Sequence, residues 1–142
     1  DNRHRASGTE LGLMIACFLY CLYYLTHKGG LLMAITAITS VEQFDELVLG
    51  SKELVIVDFW AGWCEPCTIM RPEVEAVAAK LDGRVKFFSV DAEDKALRPI
   101  LLKEDVEGIP SMVFFKDGKL LDRIAGYKKA DVLESLINEV IK

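Results

Sequence analysis

Leu54–Cys67 reads Leu-Val-Ile-Val-Asp-Phe-Trp-Ala-Gly-Trp-Cys-Glu-Pro-Cys. The first seven residues are a continuous apolar, β-branched run broken only by Asp58. That is the pattern of a central strand covered on both faces rather than of a half-exposed one, which would alternate. Beyond it, Val74, Val77, Ala78 and Leu81 recur at helical spacing, so a long helix is expected from near Cys64 to Leu81. Pro66 suits the first turn of that helix, where a missing N–H costs little. Pro72 lies inside it and is expected to kink it. A strand feeding directly into a helix therefore sets Cys64 and Cys67 at the junction.

Working outward, Ser40-Val41-Glu42-Gln43 matches a capping box, and Val41, Phe44, Leu47 and Val48 predict a helix over about Val41–Leu49. Val85–Val90 reads as the next strand, and Lys95–Glu104 as a helix weakened by Pro99. Ser111–Lys116 and Lys119–Ile124 form two strands joined by Asp117-Gly118, a strong hairpin signal. Lys129–Ile141 is a last amphipathic helix with Val132, Leu133, Leu136, Ile137, Val140 and Ile141 inward. Strands joined by helices should run parallel, with the antiparallel hairpin at the edge. The class is α/β: a central mixed sheet with helices on both faces, a three-layer sandwich.

The chain has 142 residues, 51% hydrophobic and 27% charged, which excludes a disordered or collagen-like protein. Its net charge of -5 and its lack of a basic run argue against nucleic acid as a ligand. Four cysteines are too few for a disulfide-stapled secreted scaffold. Residues 1–32 differ in character from 33–142. The apolar run Leu11–Leu25 follows a polar start carrying Arg3 and Arg5, and Thr26–Gly30 ends it.

As a helix, 15 residues span about 22 Å, short of the roughly 30 Å hydrocarbon core. No small-x-small cleavage site follows closely. Lys28-Gly29-Gly30 can be encoded by AAG-GAG-G, a ribosome-binding tract just before Met33. Residues 1–32 are therefore expected to be leader read in frame, with translation starting at Met33. The alternatives are a membrane anchor, which would place the domain outside the cytoplasm, and a cleaved signal. Residues 33–142, with 14 basic and 20 acidic side chains, are the expected working domain.

Cysteines at i and i+3 on a first helical turn share one face, within the Cα separation a disulfide tolerates. The helix N-terminus favours thiolate at the first, expected exposed, cysteine. Cys64 is thus the expected nucleophile and Cys67 the resolving thiol of a redox-active pair. A permanent staple would gain little from so short a loop. A zinc site lacks ligands: there is no second Cys-x-x-Cys, and His4 and His27 lie upstream of the domain. Asp58 is costly to bury unless it serves something, and desolvation would make it a proton acceptor for Cys67. A solvated carboxylate at a sheet edge is the other reading. Gly108-Ile109-Pro110-Ser111 is either a plain strand start or a cis-proline turn bringing backbone to the dithiol. Trp60 and Trp63 are core aromatics or contact surface, and Trp63 is the better placed for contact.

Taken together, Phe59–Cys67, Pro72, Gly108-Ile109-Pro110 and Gly126 resemble the thioredoxin family over essentially all of residues 33–142. The resemblance implies the thioredoxin fold and a cytoplasmic protein-disulfide reductase with no bound cofactor. Its partners would be disulfide-containing proteins and a thioredoxin reductase drawing on NADPH, or a ferredoxin-linked equivalent. It implies a cis Pro110, a buried acid at Asp58 beneath the dithiol, and a substrate surface of Trp63, Glu65, Pro66, Ile109, Pro110 and Gly126. Three positions depart from the family pattern. Glu65 replaces the usual Gly and should oppose thiolate at Cys64. Ser89 stands where many members have a lysine, which leaves Asp58 without its usual charge partner. Ser111 replaces Thr. A membrane-tethered extracytoplasmic oxidoreductase and a redox-independent interaction subunit are the competing functions.

Overall fold

The computed structural model describes residues 34–142. Leu11–Leu25, with its expected roles, lies outside them. Among the described residues no helix is long and apolar enough to cross a membrane.

The chain runs β1 (Ile35–Ala37), α1 (Val41–Phe44, continuing as a wider π-helical turn over Asp45–Leu49) and β2 (Val55–Trp60). It continues through α2 (Glu65–Lys80), β3 (Lys86–Asp91) and α3 (Arg98–Lys103, entered through a 3-10 turn over Lys95–Leu97). It ends with β4 (Ser111–Lys116), β5 (Lys119–Ala125) and α4 (Ala130–Ile141). The sheet order is β1-β3-β2-β4-β5. β3 pairs parallel with both β1 and β2, whereas β4 runs antiparallel to β2 and β5 to β4. This is the expected three-layer sandwich, with the Leu54–Trp60 run at its centre.

Strand alternation divides the apolar side chains between the faces. Ile56, Phe87, Met112 and Phe114 turn towards α2 and α4, where they pack on Met70, Val74, Val77, Leu133 and Ile137. Val55, Val57, Phe59, Val113 and Phe115 turn the other way, onto Phe44 and Val48 of α1 and Leu97 and Ile100 by α3. Burial on both sides explains why β2 reads as unbroken apolar sequence. By the same alternation, Asp58 and Trp60 follow Ile56 onto the α2 face.

Local signals account for most boundaries. The Gln43 N–H donates to Ser40 Oγ at 3.1 Å, and the Thr39 N–H donates to Gln43 Oε1 at 2.7 Å, so both side chains satisfy backbone groups at the start of α1. Asp117 and Gly118 take positive φ of 51° and 71°, the pair of left-handed residues a two-residue type I′ turn needs. Glu73 of α2 accepts from the Ala130 N–H at 2.8 Å, capping α4 from a neighbouring helix.

Three expectations are corrected. A first strand, β1, precedes α1. Its three residues are half-buried or exposed, too short to show a period. Pro99 does not weaken its helix, because it falls in the first turn of α3, where no intrahelical donor is lost. Val132 is exposed, since only Leu133 and Ile137 of α4 are fully buried.

Candidate active site

The end of β2 and the start of α2 bring the chemistry together. Cys64 is the N-cap of α2, in extended conformation, with Pro66 in the first turn. The Cys67 N–H donates to Cys64 Sγ at 3.3 Å, so a backbone donor of the open helix end points at that sulfur. Cys64 and Cys67 form a disulfide, with Cα atoms 5.2 Å apart. Their spacing therefore allows the bond to close within a single helical turn, as the sequence leads one to expect.

The first cysteine is not, however, the exposed one of the pair. Cys64 is 4% and Cys67 5% exposed, because the bridged sulfurs pack on Ala61 with Trp60, Ala92 and Ile109 around them. Access comes from the rim: Gly62, Trp63, Glu65 and Pro66 are all exposed, Trp63 by 70%. Glu93 braces that rim from the loop after β3, where its Oε2 accepts from the Gly62 N–H at 2.9 Å.

The Ile109–Pro110 peptide is cis. Pro110 is buried, and Ile109 packs against the cysteine pair. The Gly126 N–H donates to the Pro110 carbonyl at 2.9 Å, and Gly126 takes φ of 78°. Thus Ile109, Pro110 and Gly126 lie together beside the dithiol. A groove of 380 Å³ adjoins them, with Asp105, Glu107 and Arg123 on its walls. A larger one, 590 Å³, lies between β5 and α4 and is lined by neither cysteine nor Pro110.

Asp58 is 8% exposed, between Ser89 of β3 and Met112 of β4. Burial pushes its carboxyl up from 3.8 to about 6, against the opposing pull of the Arg71 guanidinium. The edge-solvated reading fails because β2 is the middle strand. Ser89 does sit beside Asp58 and offers no charge. The cation that acts on Asp58 comes instead from α2.

Arg71 and Glu93 were missed from sequence. Arg71 lies four residues past Cys67, the spacing that shares a helix face, so its position was open to inference. Glu93 is 31 residues from Gly62, and no local pattern links them.

The thioredoxin family model matches residues 35–139. The chain belongs to the thioredoxin family. It is 38% identical over 104 residues to a thioredoxin of Mycolicibacterium smegmatis, covering 72% of this chain and 92% of that one. It is 36% identical over 98 residues to the mitochondrial thioredoxin of Bos taurus, covering 69% of this chain. The match spans 58% of the length of that bovine relative. Among solved structures, the thioredoxin of Malassezia sympodialis superposes with a TM-score of 0.68 at 29% identity, covering 76% of this chain and 91% of that one. The thioredoxin fold, with its mixed five-stranded sheet between two helical layers, is therefore established for the described residues.

Proposed function

We propose that residues 33–142 act as a thiol–disulfide oxidoreductase that reduces protein disulfides through Cys64 and Cys67. The observation that carries this reading is a cysteine pair bridged across the first turn of α2 at the end of the central strand. In the dithiol form, the Cys64 thiolate attacks one sulfur of a substrate disulfide, forming a mixed disulfide and expelling the other sulfur as a thiolate. The Cys67 thiol then gives its proton to the Asp58 carboxylate and attacks Cys64 Sγ. That step forms the Cys64–Cys67 bond and releases the second substrate sulfur as a thiolate. Two electrons pass to the substrate, and the chain is left oxidised.

Cys64 is the nucleophile in this scheme because a backbone N–H at the helix end points at its sulfur. Asp58 suits the acceptor role because a carboxyl near 6 is ionised at neutral pH yet retains appreciable proton affinity. Exposed Trp63, Glu65 and Pro66, with Ile109, Pro110 and Gly126, form the surface that receives the substrate chain. A flavoprotein thioredoxin reductase using NADPH, or a ferredoxin-linked equivalent, restores the dithiol. The domain itself needs no bound cofactor. We place it in the cytoplasm, with residues 1–32 as leader; fractionation of the expressed chain tests this, and recovery in the membrane pellet would overturn it.

Insulin-disulfide reduction by residues 33–142 with a thioredoxin reductase and NADPH tests the activity. Wild type should precipitate insulin chains, Cys64→Ser should be inactive, and Cys67→Ser should accumulate a mixed disulfide. Activity retained in Cys64→Ser would overturn the reading.

A further inference from the structure

The pairing of β4 with β5 carries a bulge. Phe115 faces Leu120 and Phe114 faces Asp122, so Leu121 is the extra residue and Arg123 falls opposite Val113. Val113 turns to the α1 and α3 face, and side chains directly opposite on paired strands share a face. By plain alternation from Leu120, Arg123 would turn the other way. The bulge therefore aims an arginine at the layer that holds α3.

There the guanidinium meets backbone. Arg123 Nη1 donates to the Asp105 carbonyl at 2.7 Å and Nη2 to the Glu104 carbonyl at 3.0 Å. α3 has already turned off its axis at that point. The Val106 N–H donates to the Leu101 carbonyl at 2.9 Å, and Asp105 takes the left-handed φ of 52° that reverses the chain. Carbonyls at and beyond a helix end lack an intrahelical donor. A planar guanidinium fork satisfies two adjacent ones in a fixed geometry, which an ammonium on a flexible stem does less rigidly.

Further along, the Pro110 carbonyl accepts from the Gly126 N–H at 2.9 Å. The segment Glu104–Pro110 is thus tied at both ends to one short stretch, Arg123–Gly126, at the end of β5. Between the ties lie Gly108, with no side chain to anchor it, and Ile109, which packs on the cysteine pair. Arg123 and Gly126 also line the groove of 380 Å³ beside Pro110.

We propose that Arg123 is a positioning residue for substrate binding: its guanidinium fixes Glu104–Pro110 so that the Ile109–Pro110 backbone stands ordered beside the dithiol before a substrate chain arrives. The gain is entropic, because a segment already ordered in the free protein need not be ordered on binding. Arg123 acts through backbone carbonyls and not on the sulfurs. The role rests on the proposed reading of Ile109 and Pro110 as substrate surface.

The test compares the full chain with Arg123→Ala, Arg123→Lys and a control, Gly83→Ala, which strains a left-handed glycine beyond the far end of α2. Amide hydrogen exchange and insulin-reduction kinetics with a thioredoxin reductase and NADPH are the readouts. In Arg123→Ala, exchange at the Val106 and Gly126 N–H groups should quicken by about ten-fold, the order expected for two lost hydrogen bonds, and by more than in Gly83→Ala. KM for insulin should rise by about three-fold or more, and by a larger factor than kcat falls. Arg123→Lys, which can still reach one carbonyl, should recover part of both. A merely structural contribution would raise KM equally in Gly83→Ala. That result, or exchange or KM unchanged in Arg123→Ala, overturns the proposal. If wild type itself fails to reduce insulin, the oxidoreductase reading falls and the positioning role with it. If wild type reduces insulin and Arg123→Ala does so at the same KM, the positioning role falls alone.

Discussion

Replacing Asp58 with Asn should make the oxidised protein more stable, and by an amount that depends on pH in a defined way. Burial raises the Asp58 carboxyl from 3.8 in the unfolded chain to about 6 in the fold. Below 3.8 the carboxyl is protonated in both states and its ionisation costs nothing. Between 3.8 and about 6 the unfolded chain ionises while the folded one keeps its proton. The native state then binds more protons, so stability falls as pH rises, by about 1.4 kcal/mol per unit. Above the folded midpoint the cost levels off at about 3 kcal/mol, roughly two units at that slope. Against a total stability of about 5–15 kcal/mol for a domain of this size, that is a large penalty for one side chain. Asn has the same shape and no such titration. Urea unfolding of wild type and Asp58→Asn, compared at about pH 4 and about pH 8, isolates the effect, because the other groups cancel in the difference. The variant's advantage should be about 2 kcal/mol or more larger at the higher pH. A difference that stays flat between the two would refute the claim that this carboxyl is held against its preferred ionisation state.

Two further outcomes follow from other sites. Gly118→Ala should cost more stability than Gly83→Ala, although both glycines have positive φ. A Cβ at Gly83 meets nothing, so its cost is the left-handed backbone alone, about 1 kcal/mol, whereas one at Gly118 would strike the Leu49 carbonyl oxygen and add about 1–3 kcal/mol; equal urea midpoints would refute this. Glu65→Gly should speed alkylation of reduced Cys64 by iodoacetamide at about pH 6 by about two-fold, since an exposed carboxylate beside the thiol weakly opposes thiolate. The gain should shrink in high salt, and an unchanged or slower rate would count against it.

The readable parts of this sequence are those where one physical demand dominates. Leu54–Trp60 betrays its place because a strand with helices on both sides must be apolar throughout, and the one exception, Asp58, stands out for the same reason. Asp117-Gly118 announces a hairpin because few residue pairs tolerate two positive φ values. Cys64 and Cys67 declare their relation through spacing alone. What escaped notice depends on neighbours distant in the chain or on competing local rules. β1 is held by pairing with β3 rather than by any period of its own. Pro99 looks like a helix breaker until the 3-10 turn before it shows that it opens α3. The near-equal burial of the two cysteines comes from Ala92 and Ile109, which other segments bring in. Arg71 is legible as a helical arginine, but its place over the Trp60 ring depends on a strand eleven residues earlier in the chain.

An open sheet of five strands leaves two outer margins, and those of this fold are poorly suited to recruiting another chain. Among the described residues, β1 offers three residues for a newcomer to align with. β5 is longer and displays Leu120 and Leu121 to solvent, yet Lys119, Asp122 and Arg123 are interspersed with them. Charged side chains along an outer strand penalise the continuous stacking from which fibrils grow. The outer strands of the described fold thus disfavour edge-to-edge growth of the sheet.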